Sequence, residues 1–100
     1  MPIYLMLTTL TDPGRKSLQE NPEVLKELNT ETEFLGVKVL CQYALLGQFD
    51  FVSILEAPSN ETIAKLAIRL SARGTTQTLT LAAITIESLI ATLQEKPTPW

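Results

Sequence analysis

Ile3, Leu5 and Leu7 fall on one side of an extended segment near the start of the chain, and Tyr4, Met6 and Leu10 fall on the other. Side chains of a strand alternate between two faces, so a sheet with one face in water alternates apolar and polar residues. This segment does not, and a later one repeats the departure, with Phe49, Phe51 and Leu55 set against Val52 and Ile54. Both faces of the sheet must therefore be covered. In a chain of 100 residues, long enough for one modest core, that demand constrains the fold more than any other feature.

The punctuation between apolar runs sets the order of elements. Residues 3–10 read as a strand stopped by Asp12-Pro13-Gly14, with Thr11 or Asp12 placed to cap a short helical turn. Asn21 as N-cap and Pro22 at the first helical position open a helix, with Val24, Leu25, Leu28 and Leu35 near one face and Gly36 at its end. Residues 37–46 form a strand, with Val37, Val39, Cys41, Tyr43 and Leu45 expected on one side. Gly47-Gln48 closes a hairpin into a third strand, Phe49 to Glu56. A helix over about 60–73 buries Ile63, Leu66, Ala67 and Leu70 and stops at Gly74. A Thr-rich strand follows, then a last helix with Ile86, Leu89, Ile90 and Leu93 on one stripe.

The order β-α-β-β-α-β is the split βαβ arrangement of a ferredoxin-like α+β domain: a four-stranded antiparallel sheet with helices on one face and an extra C-terminal helix. Residues 1–95 make the single domain and 96–100 a tail, from which Trp100 could dock. The C-terminal helix is too short to shield a whole sheet face. A second copy packed face to face is the expected cover, as isologous pairing is the usual solution for a surface that must cover itself.

Several of these residues carry a resemblance. Thr11, Asp12 and Gly14 end the first strand; Gly47, Phe49 and Asp50 occupy the hairpin; Glu56, Ala57 and Pro58 end the third strand; Gly74 precedes a Thr-rich last strand. In this order and spacing, over about residues 3–84, the chain resembles the GYD-domain proteins. The resemblance implies a ferredoxin-like domain of the dimeric α+β barrel kind, in a family whose biochemical role is largely unassigned. Phe49 stands where that family has tyrosine, so this chain offers no phenol oxygen at that position.

The composition excludes several chemistries. Without a histidine there is no Ser-His-Asp or Cys-His catalysis, and no histidine-ligated haem or zinc. Cys41 is the single cysteine, so no thiolate cluster or internal disulfide forms within one chain, and a reducing cytoplasmic setting is expected. The four glycines stand singly at turns and build no phosphate loop. A net charge of −3 argues against nucleic acid as a partner, and the longest apolar region, broken by threonines and Glu87, is too polar to span a membrane. No signal peptide is read at the N-terminus. No metal, cofactor or catalytic residue is assigned.

The candidate ligand contacts are Tyr43, Phe49, Asp50 and Glu56, at the rim of a cavity between two copies. Asp50 is weighed first as a structural acceptor of backbone N–H groups in the hairpin. Glu56 is weighed first as ordering the turn into the second helix, and Tyr43 as core or interface packing. Asp50 and Glu56 stand six residues apart on one strand, about 20 Å, too far for a carboxylate pair within one chain. Lys65, Arg69 and Arg73 form a basic stripe and Glu23, Glu27 and Glu31 an acidic one, on helices that lie side by side and can partly neutralise each other. The expected function is a self-associating domain that binds a partner protein or small ligand without catalysis. A cofactor-independent monooxygenase- or isomerase-like enzyme using an enclosed cavity is the alternative.

Overall fold

The computed structural model describes residues 1–96; the expected tail and the docking of Trp100 lie outside the described residues, apart from Lys96. The elements run β1 (Ile3–Leu10), α1 (Asp12–Glu20), α2 (Val24–Phe34), β2 (Lys38–Ala44), β3 (Phe51–Glu56), α3 (Asn60–Ser71), β4 (Thr76–Ala83) and α4 (Ile86–Gln94). The strands form one antiparallel sheet in the order β2-β3-β1-β4, the ferredoxin-like arrangement expected.

Even-numbered residues of β1 face the helices. Tyr4 and Met6 join Val37, Leu55, Ala57, Ile63 and Leu66 in a buried core, with Leu35, Val39, Ala67 and Leu70 packed against it. The apolar positions of α3 recur at three- and four-residue steps, so Ile63, Leu66, Ala67 and Leu70 meet the sheet together, as the periodicity predicts. Ser59 caps that helix, its hydroxyl accepting from the Thr62 N–H.

Three local expectations are corrected. The turn after β1 is a nine-residue helix, capped by Thr11, whose hydroxyl accepts the Gly14 N–H at 3.2 Å. Asn21 ends that helix instead of capping α2; it accepts from the Val24 N–H only through its backbone carbonyl, and α2 starts with no side-chain cap. The β2–β3 connection spans residues 45–50 and not two residues; it is closed by the Leu45 N–H donating to the Asp50 carbonyl at 2.8 Å, so Phe49 and Asp50 precede the strand.

Strand β2 departs from strict alternation. A bulge between Val39 and Cys41 shifts the register, so Val39 pairs with Leu55 on the helix side while Cys41 pairs with Ile54 and Tyr43 with Val52 on the opposite side. One extra residue flips every side chain beyond it. Val37 and Val39 therefore part company with Cys41 and Tyr43, which were expected to share their face.

Candidate functional site

The side of the sheet away from the helices is a ladder of apolar rows. Tyr43, Val52, Leu7 and Leu79 pair across the four strands in one row, and Cys41, Ile54, Leu5 and Leu81 in the next. A third row carries Lys38, Glu56, Ile3 and Ala83. Four strands about 4.8 Å apart and the two apolar rows, each about 7 Å of strand, make a plane on the order of 300 Å². That alone matches the largest apolar patch of a typical monomer.

Among the described residues no helix covers it. Helix α4 begins two residues after β4, capped by Thr85, and buries none of its residues. Its stripe stands in water, Ile86 66% exposed and Leu93 75%. The described chain measures 59 Å in its longest dimension against 29 and 22 Å, as expected when one helix stands off the body. The second apolar face read from the sequence is present, and the described residues leave it open.

Three of the motifs that carry the family resemblance meet at the C-terminal end of β1, while Glu56-Ala57-Pro58 lies at the other end, where the Ala57 N–H donates to the Pro2 carbonyl at 3.1 Å. The Asp50 carboxylate accepts the Leu10 N–H at 2.7 Å, and the Asp50 N–H donates to the Thr8 carbonyl at 2.8 Å. Asp50 therefore holds a backbone, but that of the neighbouring strand instead of its own hairpin. Thr11 donates its hydroxyl to the Gly74 carbonyl at 2.7 Å and its N–H to the Thr75 carbonyl at 3.0 Å. Gly14 lies so close to this joint that a Cβ would stand 2.0 Å from the Thr75 carbonyl oxygen, and only glycine fits. Gly74 adopts a φ of +75° as the chain turns from α3 into β4, a conformation glycine takes without strain. These motif residues clamp three segments to the end of one strand.

The four candidate contacts do not converge in one chain. Tyr43 and Glu56 lie in different rows of the bare face, while Phe49 and Asp50 sit in the connection before β3. Asp50, turned to the β1 backbone, is not paired with Glu56.

The opposite side holds features that sequence reading missed. Between the sheet and helices α1, α2 and α3 lies a cavity of about 240 Å³, walled by residues such as Leu10, Leu25, Leu28, Leu66 and Leu70. None of the four candidate contacts lines it. Its floor carries a polar chain in which Asn29 Nδ2 donates to Gln42 Oε1 at 2.8 Å and Gln42 Nε2 donates to Ser53 Oγ at 2.9 Å. At its edge, Glu31 of α2 accepts from Arg69 Nε at 2.6 Å and from Arg73, drawing α3 toward α2. Those guanidinium hydrogen bonds, Arg73's first and Arg69's second, hold the Glu31 carboxyl below its ordinary 4.5 against the opposing effect of burial. The two charge stripes thus meet at Glu31. Glu23 pairs within its own helix with Lys26 at 3.3 Å.

Among the described residues no group of three His, Cys, Asp or Glu side chains is placed to hold a metal ion, and no helix is long and apolar enough to cross a membrane. The fold is similar to that of FFRP-DM1, with a TM-score of 0.56 at 20% identity over 84% of this chain and 100% of that one. It is also similar to the leucine response regulatory protein LrpA of Mycobacterium tuberculosis, with a TM-score of 0.53 at 15% identity over 84% of this chain and 51% of that one. In sequence, the chain is 46% identical over 95 residues to the glutamine synthetase and cystathionine beta-lyase binding protein of Thermus thermophilus, covering 94% of this chain and 100% of the relative. Residues 4–93 match the GYD domain, and the chain belongs to that family.

Proposed function

We propose that this chain is a non-catalytic adaptor that pairs with itself through the bare sheet face and binds metabolic enzymes as a protein partner. The carrying observation is the sheet face with its two apolar rows, Leu79 and Leu81 nearly half exposed and no helix of the described residues over it. Stacking two such faces forms the dimeric α+β barrel, in which each sheet is the lid of the other. The α4 stripe adds a second apolar surface beside it, bringing the total toward the roughly 800 Å² per partner of a standard interface.

The partner class comes from the Thermus relative, which by its name binds glutamine synthetase and cystathionine beta-lyase. Identity of 46% over the whole of that relative supports the same two enzymes as candidate partners here. The single Cys41, exposed and unpaired, suits a cytoplasmic setting in which such enzymes work. Tyr43 and Glu56 then lie inside the barrel between copies, where they would touch any small ligand enclosed by it.

Light scattering on a size-exclusion column is the test, with glutamine synthetase and cystathionine beta-lyase added in separate runs. The wild-type chain should elute at twice its 11.1 kDa mass or more and co-elute with an added enzyme. Leu81→Lys places a charge in the middle row and should give a folded monomer. A wild-type monomer at high micromolar concentration refutes self-pairing, and absence of co-elution with either enzyme refutes the adaptor role.

A further inference from the structure

We propose that the cavity on the helix-covered side is a binding site for a small carboxylic acid with an apolar body of about eight carbons. The site is separate from the bare face and does not depend on how that face is covered. Its origin is visible in the residues. At the N-terminal half of β1 the helix side is filled by Tyr4, Met6, Leu55 and Leu66. Level with Met6 the neighbouring strands offer only Ser53 and Gln42, one step further Thr8 stands beside Phe51, and the helices close over them without filling the space.

Volume sets the size of the occupant. An aliphatic cavity of about 150 Å³ takes a six-carbon ring, so about 240 Å³ takes about ten heavy atoms. The walls set its body: Leu10, Leu25, Leu28 and Leu70 offer only hydrocarbon.

Two polar features set the head group. Ser53 is 6% exposed, and its hydroxyl oxygen already accepts from Gln42, so its own proton is left to donate into the cavity. A buried donor calls for an acceptor oxygen. Among the lining residues the one ionised side chain is Arg73; no aspartate or glutamate lines the cavity. Arg73 shares Glu31 with Arg69, so the cluster keeps one positive charge in excess. That excess favours an anion over a neutral or cationic head. A carboxylate meets both features.

Octanoate, with ten heavy atoms, is the probe, and octylamine its cationic counterpart. The intact chain is titrated with each while amide shifts are followed by 1H–15N NMR. Octanoate should give saturable shifts at Gln42, Ser53 and Leu66, with a Kd of about 1 mM or tighter, and leave Cys41, Leu79 and Leu81 unmoved. Octylamine should bind at least tenfold more weakly, and Ser53→Ala should raise the octanoate Kd about tenfold. Thr8→Ile, which puts a strand-compatible aliphatic group into the hollow, should abolish octanoate binding without lowering the urea midpoint; it tests the site should Ser53→Ala fail to fold. Equal binding of octylamine, shifts on the bare face instead, unaltered octanoate binding by Thr8→Ile, or no saturable shift at all (a hollow that holds water alone) would each overturn the proposal.

Discussion

On the helix-covered side of the sheet Leu55 and Leu66 are almost wholly buried, whereas on the other side Leu79 and Leu81 keep 47% and 46% of their surface in water. The residue type is the same, and both pairs lie on the same sheet or packed against it. What differs is the supply of cover. Of the four helices among the described residues, three close one side and the fourth buries nothing. Stability of the single chain therefore resides on one side, while the other side is apolar surface left open to solvent. Tenancy differs too: the covered side has a cavity of about 240 Å³ with polar residues in its lining, and the bare side has apolar rows with Lys38 and Glu56 at one end.

The largest effect should come from cutting the same side chain on the two sides. Leu55→Ala removes a fully buried leucine from the core and should lower unfolding free energy by about 2–5 kcal/mol in urea denaturation. Leu81→Ala, measured at concentrations where the chain is monomeric, should cost under about 1 kcal/mol, because half of that side chain is already in water. Equal losses in the monomer would break the contrast and place something over the bare face. As concentration rises, the cost of Leu81→Ala should grow, since association adds to apparent stability by mass action.

An intermediate effect should follow from the joint at the end of β1. Asp50→Ala removes the acceptor of the Leu10 N–H and should cost about 1–3 kcal/mol, while Asp50→Asn keeps an oxygen there and should cost about half as much or less. Both variants should elute at the wild-type mass, because Asp50 ties the β2–β3 connection to β1 and belongs to neither apolar row. A smaller eluting mass for Asp50→Asn than for the wild-type chain would mean that the joint shapes the bare face as well.

Much of this was legible in the chain because it is written locally. Ser59, Gly36 and Gly74 mark helix ends, and the three- and four-residue steps of Ile63, Leu66, Ala67 and Leu70 mark a buried helix face, so element order and the core of α3 follow from short windows. Helix α1 was not legible as a full helix: Asp12–Glu20 holds Pro13 and Gly14 and a single large apolar residue, Leu18, so no stripe announces it. The bulge after Val39 is hidden for another reason. Val39, Leu40 and Cys41 are all apolar, and a register flip shows only where polarity changes sides. The cavity is beyond any window, since its floor is made by Thr8, Gln42 and Ser53 on three different strands. Asp50 was readable as an acceptor of backbone N–H, but its partner strand is 40 residues away in sequence.

The smallest effect concerns the charge clamp at the edge of the covered side. Arg69 and Arg73 hold Glu31 ionised to a lower pH than a free carboxylate, so folding is favoured by that ionisation. A carboxylate depressed on folding contributes stability that is present above its unfolded value, here 4.5, and lost as pH falls through the lower folded value. Glu31→Gln should therefore lower the urea midpoint at pH 7 by less than Asp50→Ala does, since both arginines are about half exposed and screened by solvent. The gap between variant and wild type should narrow below pH 4.5 and close once Glu31 is protonated in the folded chain; it should also shrink in about 1 M salt, where the screening length falls to about 3 Å. Leu81→Lys, compared with Leu81→Ala, should show no matching gap that closes over this pH range, because a lysine stays charged throughout it. A pH-independent gap for Glu31→Gln would reassign Glu31 from a charge clamp to a packing residue, and would leave the line between the two sides of the sheet drawn by apolar burial alone.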